Sequence, residues 1–368
     1  MPKVVGSVLL LACLGCVAAR AQSPQSRGVI SPDGSVALPV MTVPYSDVAS
    51  PGLQRNFVES MQKWEPFRGQ ITERPIAQFR AQLDEQIMIP GLRRLREAFA
   101  VHIRPAVIGG VRADVVEPAD GISPDNRNRV LINLHGGAMM VGARHSGQME
   151  SVPIASIGRI RVVTVDYRMA PEHRFPAASE DVARVYEALL RDYRPENIGI
   201  YGCSSGASLT AQSLSWFQAH GLPRPGAIGM MGLGANTDGR FGDANYVASG
   251  LAGGAVPLRP PGNPTSGGYL QGADPADPLV NPASSDDVLR GFPPSILLSG
   301  TRDFALSKVL STHARLVALG VEADLHVWDG AWHCSFAQGV VHPDVPEHRQ
   351  AWAAITTFFD TQLGTAAR

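Results

Sequence analysis

The segment Gly202-Cys203-Ser204-Ser205-Gly206 narrows the possible folds of this chain more than any other. It follows an apolar strand candidate, Ile198-Gly199-Ile200-Tyr201. It opens a helix candidate, Ser205 to His220, in which Ala207, Ala211, Leu214 and Phe217 share one face. A G-x-S-x-G at a strand-to-helix junction implies a turn sharp enough to expose the serine in strained backbone geometry. Gly202 and Gly206 remove side chains that would collide there. The Ser204 hydroxyl then stands at a helix N-terminus, where developing negative charge is favoured. The motif alone also fits an incidental glycine-rich connection, so its reading depends on the other motifs present.

A second glycine motif, His135-Gly136-Gly137-Ala138, directly follows the strand candidate Val130 to Leu134. Acyl transfer builds negative charge on the former carbonyl oxygen. One backbone N–H aimed at that oxygen contributes about 3–4 kcal/mol. Gly137, Ala138 and Ser205 are the expected donors. His135 and Gly136 are expected to support the loop, as Gly202 and Gly206 support the elbow.

A serine nucleophile needs a general base, and the base needs an orienting acid. Asp303 follows the strand candidate Ser295 to Ser299. His333 follows the strand candidate Ala323 to Trp328. Both are thus expected beyond the C-terminal ends of strands, on the edge that carries Ser204. Asp329 and Asp277 are rival acids, but neither follows a strand so directly. Trp332 and Phe304, next to His333 and Asp303, read either as pocket lining or as core aromatics. No H-E-x-x-H or cysteine-rich spacing offers a metal site.

The rest of the chain supplies the frame. Val162 to Val165, Ile228 to Leu233 and Ile296 to Leu298 are further strand candidates, with a helix candidate from Asp181 to Tyr193 and a last one from Glu347 to Leu363. Buried apolar strands alternating with helices argue an α/β fold: a mostly parallel central sheet with helices on both faces. Residues 235–290 interrupt the rhythm as a Gly- and Pro-rich insertion. Residues 22–95 read as a loose leader followed by helices that would cover a pocket, broken at Pro90-Gly91. Residues 96–368 form the main domain.

Residues 1–21 read as a signal peptide: Lys3, the apolar run Val4 to Val17, then Ala19-Arg20-Ala21. Cleavage near Ala21 implies a secreted or periplasmic protein without a membrane span in the mature chain. A lipoprotein anchored at Cys13 is the second reading. The formal net charge of −1 advertises no nucleic acid partner.

In these motifs the chain resembles the hormone-sensitive-lipase-like branch of the α/β-hydrolases, over about residues 100–365. The resemblance rests on His135 to Ala138, Asp166-Tyr167-Arg168-Met169-Ala170-Pro171-Glu172-His173, Phe175 to Ala178 with Asp181, the G-x-S-x-G, Asp277 to Pro282, and Pro293 to Asp303. It implies the α/β-hydrolase fold, a carboxylic ester hydrolase, a helical N-terminal cap over the acyl pocket, a small-molecule ester substrate and no cofactor. The chain departs from the usual pattern at Ala138, where a fourth glycine is expected, and at Cys203-Ser204-Ser205, where Asp-Ser-Ala is expected.

The second departure resembles another family. Cys203 precedes the expected nucleophile and Cys334 follows the expected base, as in the Cys-Ser, Asp, His-Cys arrangement of tannases and feruloyl esterases. That resemblance implies a Cys203–Cys334 disulfide tying the two loops together. Two small buried thiols are the alternative. The expected function is a serine esterase working through an acyl-enzyme on small acyl or aromatic esters. An amidase, deacetylase or peptidase on the same triad, or a binding protein with a dead site, are the rivals.

Overall fold

The computed structural model describes residues 28–37, 42–67, 74–239, 242–251 and 268–364. Residues 1–21, read as a signal peptide, lie outside them, as does part of the 235–290 insertion. The chain divides into two compact units, residues 1–44 and 45–368. In the first, β1 (Val29–Ile30) and β2 (Val36–Ala37) pair antiparallel where a loose leader is expected. The turn between them closes on the Asp33 carboxylate, which accepts the Ser35 N–H.

The second unit begins with helices. The first, α1, spans Pro51–Trp64, capped by the Ser50 hydroxyl on the Leu53 N–H. Next come α2 (Ile76–Leu83) and α3 (Ile89–Ala98), joined by a π-helical stretch over Asp84–Met88. The expected break at Pro90 does not occur. The wider π turn places Pro90 in the first turn of α3, where a missing N–H leaves no helical bond unmade. These helices belong to the same compact unit as the sheet.

The sheet strands are β3 (Val101–Ile108), β4 (Val111–Pro118), β5 (Val130–Leu134), β6 (Arg161–Val165), β7 (Ile198–Cys203), β8 (Ala227–Met231), β9 (Ser295–Arg302) and β10 (Ala323–Trp332). They lie in the order β10-β9-β8-β7-β5-β6-β4-β3. From β10 to β6 every pairing is parallel; β4 pairs antiparallel with β6 and with β3. The antiparallel β3–β4 pair is the part of the sheet that apolar runs did not reveal, because β3 lies at the edge and is half exposed.

Strand alternation sends successive side chains to two cores. Val130, Ile132 and Leu134 face one, with α5 (Ala177–Leu189) and α6 (Ser205–Ala219). Leu131 faces the other, with α4 (His145–Gly158) and the helices of the first hundred residues. In the insertion region, α7 (Asp243–Leu251) and α8 (Asp286–Arg290) lie between β8 and β9. Beyond β9, α9 (Leu306–Ala318) joins the first core and α10 (Pro346–Gln362) joins the second through Trp352, Ile355, Phe358 and Phe359. The parallel strands all end on one edge of the sheet, where ligands bind in open α/β folds.

Candidate active site

Four loops meet at that edge, each following a strand end. Ser204 closes β7 and opens α6 with φ 56° and ψ −125°. Its N–H donates to the Met231 carbonyl at 2.8 Å. The flanking glycines are required by close approach. A Cβ on Gly206 would lie 1.8 Å from the Leu134 carbonyl oxygen, and one on Gly202 would lie 2.3 Å from the same atom. Gly206→Ala is therefore expected to destabilise the protein by at least about 3 kcal/mol, because the obstruction is backbone rather than a mobile side chain. Thermal melting checks this; a melt at the wild-type temperature contradicts it.

Asp303 comes directly after β9 and is fully buried. Its Oδ1 accepts the Ala305 N–H at 2.8 Å, and its Oδ2 accepts the Ser299 hydroxyl at 3.0 Å. His333 comes directly after β10. Its Nδ1 lies 2.8 Å from Asp303 Oδ1, and its Nε2 lies 2.8 Å from Ser204 Oγ. The three side chains thus form one continuous hydrogen-bonded line. The rival acids are engaged elsewhere. Asp329 accepts the Thr301 hydroxyl and pairs with Ser46, contacts that hold its carboxyl below the usual range. Asp277 caps its own turn through the Leu279 N–H.

The loop after β5 carries the backbone donors. Gly137 has φ 113° and Ala138 φ 55°. Among the described residues, the N–H groups of Gly137, Ala138 and Ser205 have no acceptor. The Gly136 N–H is already committed to Glu150 at 2.9 Å. Ser205 does what the alanine usual at this place cannot: its Oγ accepts the Met139 N–H at 3.1 Å and so ties the elbow to the glycine loop. His135 is buried, stacked on Tyr167 with ring centroids 4.3 Å apart, and burial lowers its pKa to about 4. The Tyr167 hydroxyl donates to the His135 carbonyl at 2.6 Å. The Ala170 N–H donates to the Met139 carbonyl at 2.8 Å, so the Tyr-Arg-x-Ala-Pro segment braces the loop from behind. Arg80 of α2 clamps the same place through the Met140 and Ala170 carbonyls and Glu172.

Cys203 and Cys334 form a disulfide, with Cα atoms 6.2 Å apart and a sequence separation of 131. It joins the residue before Ser204 to the residue after His333. Of the two neighbouring aromatics, Phe304 lies against the His333 ring at 4.4 Å between centroids. Trp332 is buried against Phe57 of α1 and serves the core.

Two neighbours of the site carry no local sequence signature of their place there. Gly232, just past β8, lies so close to the base that a Cβ would sit 3.0 Å from both His333 Cε1 and Cys334 Sγ. Glu150 is buried in α4 beneath the glycine loop, and burial pushes its carboxyl up to about 7 despite hydrogen bonds from Asn133, Gly136 and Gln338. The available signal was its standing as the lone acid in α4. Because its folded pKa exceeds the unfolded value near 4.5, its stabilising balance holds below that value and is lost as pH rises through about 7. Relative to Glu150→Gln, the wild type is expected to lose on the order of 3 kcal/mol between pH 4 and pH 8. Urea unfolding of both proteins across that range measures the difference; parallel curves contradict it.

Among the described residues no His, Cys, Asp or Glu cluster is arranged to hold a metal ion, and no helix is long and apolar enough to cross a membrane. A serine, an imidazole and a buried carboxylate in line, beside free backbone donors on this sheet edge, define the serine hydrolase class. The model of a family described as alpha/beta hydrolase fold matches residues 131–337. An acetyl-hydrolase of Streptomyces hygroscopicus is 28% identical over 328 residues, covering 86% of this chain and 99% of the relative. An esterase of Acinetobacter venetianus is 28% identical over 265 residues, covering 70% and 82%. Among solved structures, the esterase E25 is similar with a TM-score of 0.74 and 30% identity, covering 89% of this chain and 99% of that one. An esterase from the bacterial hormone-sensitive lipase family aligns with a TM-score of 0.68 and 25% identity, over 86% and 100%. The chain belongs to the alpha/beta hydrolase fold family, in its hormone-sensitive-lipase branch, and is a carboxylesterase.

Proposed function

We propose that Ser204 is the nucleophile, His333 the general base and acid, and Asp303 the residue that fixes the imidazole tautomer. The observation that carries this is the pair of 2.8 Å contacts on the two nitrogens of one imidazole. Ser204 Oγ bonds to the ester carbonyl carbon while its proton passes to His333 Nε2. The carbonyl electron pair moves onto oxygen, which accepts from the N–H groups of Gly137, Ala138 and Ser205. Collapse breaks the bond to the alkoxy oxygen, and His333 gives that oxygen the proton. Water then attacks the acyl-enzyme by the same route and frees the acid.

The proposed substrates are esters of small acyl groups. Two features support this: the methyl of Ala138 narrows the loop where glycine is usual, and one relative that the chain covers almost entirely is an acetyl-hydrolase. Export to a secreted or periplasmic location is part of the proposal, supported by the charged-then-apolar pattern of residues 1–21 and by a disulfide of the kind oxidising compartments preserve. A series of p-nitrophenyl esters tests the substrate reading. The rate constant kcat/KM is expected to fall at least about tenfold from butyryl to decanoyl, as a short pocket requires. A rise with chain length contradicts it, and preferential cleavage of methyl esters of aromatic acids would move the assignment to aromatic esters.

A further inference from the structure

Resting on Ser204 as the nucleophile, we propose that Glu150 is a positioning residue for this reaction: its buried carboxylate holds the glycine loop, the elbow and the loop after His333 in mutual register. Its Oε1 accepts the Gly136 N–H and the Gln338 side-chain amide, each at 2.9 Å. Its Oε2 accepts the Asn133 amide at 2.9 Å, and the Gly136 it holds packs so closely on the elbow that a Cβ there would lie 2.8 Å from the Cys203 carbonyl oxygen. Gly136 immediately precedes the donors Gly137 and Ala138. Cys203 immediately precedes Ser204. Gln338 closes the turn that begins at Cys334, through its N–H to the Cys334 carbonyl at 3.0 Å. One side chain therefore gathers three segments that are distant in sequence.

Every side-chain or backbone group bonded to this carboxyl is a donor, which suits the ionised form present above a pH of about 7, a pure acceptor with room for about four. A glutamine of the same shape would turn its own N–H groups toward other donors. Among the described residues no cation neutralises the charge; its titratable neighbours are Tyr167 and Tyr201, both pushed up by burial. A buried charge held by dipoles alone works against stability, and apolar residues of similar volume often serve a fold as well or better. Its presence here is explained by what it orients. The disulfide already joins the elbow to the histidine loop. Glu150 adds the glycine loop, which the disulfide does not reach, so its removal acts on oxyanion stabilisation.

Glu150→Gln is expected to lower kcat for p-nitrophenyl acetate roughly 100-fold, the scale of one misplaced oxyanion donor, with KM within about threefold. Inhibition by a trifluoromethyl ketone, which forms an oxyanion on Ser204, is expected to weaken by a similar factor. A purely structural role would lower the melting temperature and leave both ratios unchanged, and that result overturns the proposal. Should Glu150→Gln not fold, Gln338→Leu leaves α4 intact and removes one of the gathered donors. It is expected to lower kcat roughly tenfold, and a wild-type rate overturns the proposal. Ser204→Ala is assayed alongside. An inactive Ser204→Ala with a fully active Glu150→Gln rejects only the role of Glu150, whereas an active Ser204→Ala rejects the underlying mechanism.

Discussion

Ser204→Ala is expected to reduce kcat/KM for p-nitrophenyl acetate by roughly 10⁴- to 10⁶-fold while the protein melts within a few degrees of wild type. Two features set the size of this effect. In the proposed mechanism the Ser204 hydroxyl is the group that bonds to the ester, and its neighbour cannot inherit that role, because Ser205 Oγ accepts the Met139 N–H. The residual rate comes from the free backbone donors, which still polarise a bound carbonyl. The fold survives because Ser204 is held by its backbone N–H to the Met231 carbonyl, a bond that alanine keeps. Asp303→Asn offers a graded comparison, since an amide at that place turns the imidazole to the wrong tautomer and costs about 10⁴-fold in kcat.

Replacing both Cys203 and Cys334 with alanine is expected to cost about 4–5 kcal/mol, the entropy of closing a loop of this length. In a chain of this size that lowers the melting temperature on the order of 10 °C. The same change is expected to lower kcat at least about tenfold, because the bond joins the residues next to Ser204 and His333, and small displacements between nucleophile and base are expensive in rate. Thermal melts and kcat measured on the oxidised wild type, the reduced wild type and the double variant separate the two effects. A double variant that melts lower but turns over at the wild-type rate would confine the disulfide to stability. One that matches the wild type in both would remove it from the account.

The legible part of this protein was whatever a local pattern encodes. Val130–Leu134 is an apolar run bounded by turn residues, and it is β5 without a residue's difference. Asp303 and His333 were legible because each stands just past such a run, and the structure puts both on the edge that carries Ser204. Other expectations failed where a distant partner decides the outcome. Pro90 reads as a helix break, but a π turn just before it absorbs the missing N–H. Trp332 reads equally as pocket lining or as a core aromatic, and the choice falls to the core because Phe57, far earlier in the chain, packs against it. The helix expected from Asp181 to Tyr193 begins earlier, at Ala177, and ends at Leu189.

Glu150 and Gly232 carry no motif at all. Each is set at the site by atoms from other segments: Asn133, Gly136 and Gln338 around the first, His333 and Cys334 around the second. No window of adjacent residues contains that information. The resemblance to hormone-sensitive-lipase-like enzymes covered the motifs themselves. It did not reach the carboxylate that underlies them.

In the proposed mechanism Ser204 Oγ is the atom to which the acyl group is transferred. The direct measurement is acid quenching of the enzyme during turnover of p-nitrophenyl acetate, followed by peptide mass mapping. An acetyl group is expected on the peptide containing Ser204, localised by fragmentation to that residue and absent from Ser204→Ala. An acetyl group on Ser205 or elsewhere, or steady turnover with no acylated serine at any quench time, would contradict it.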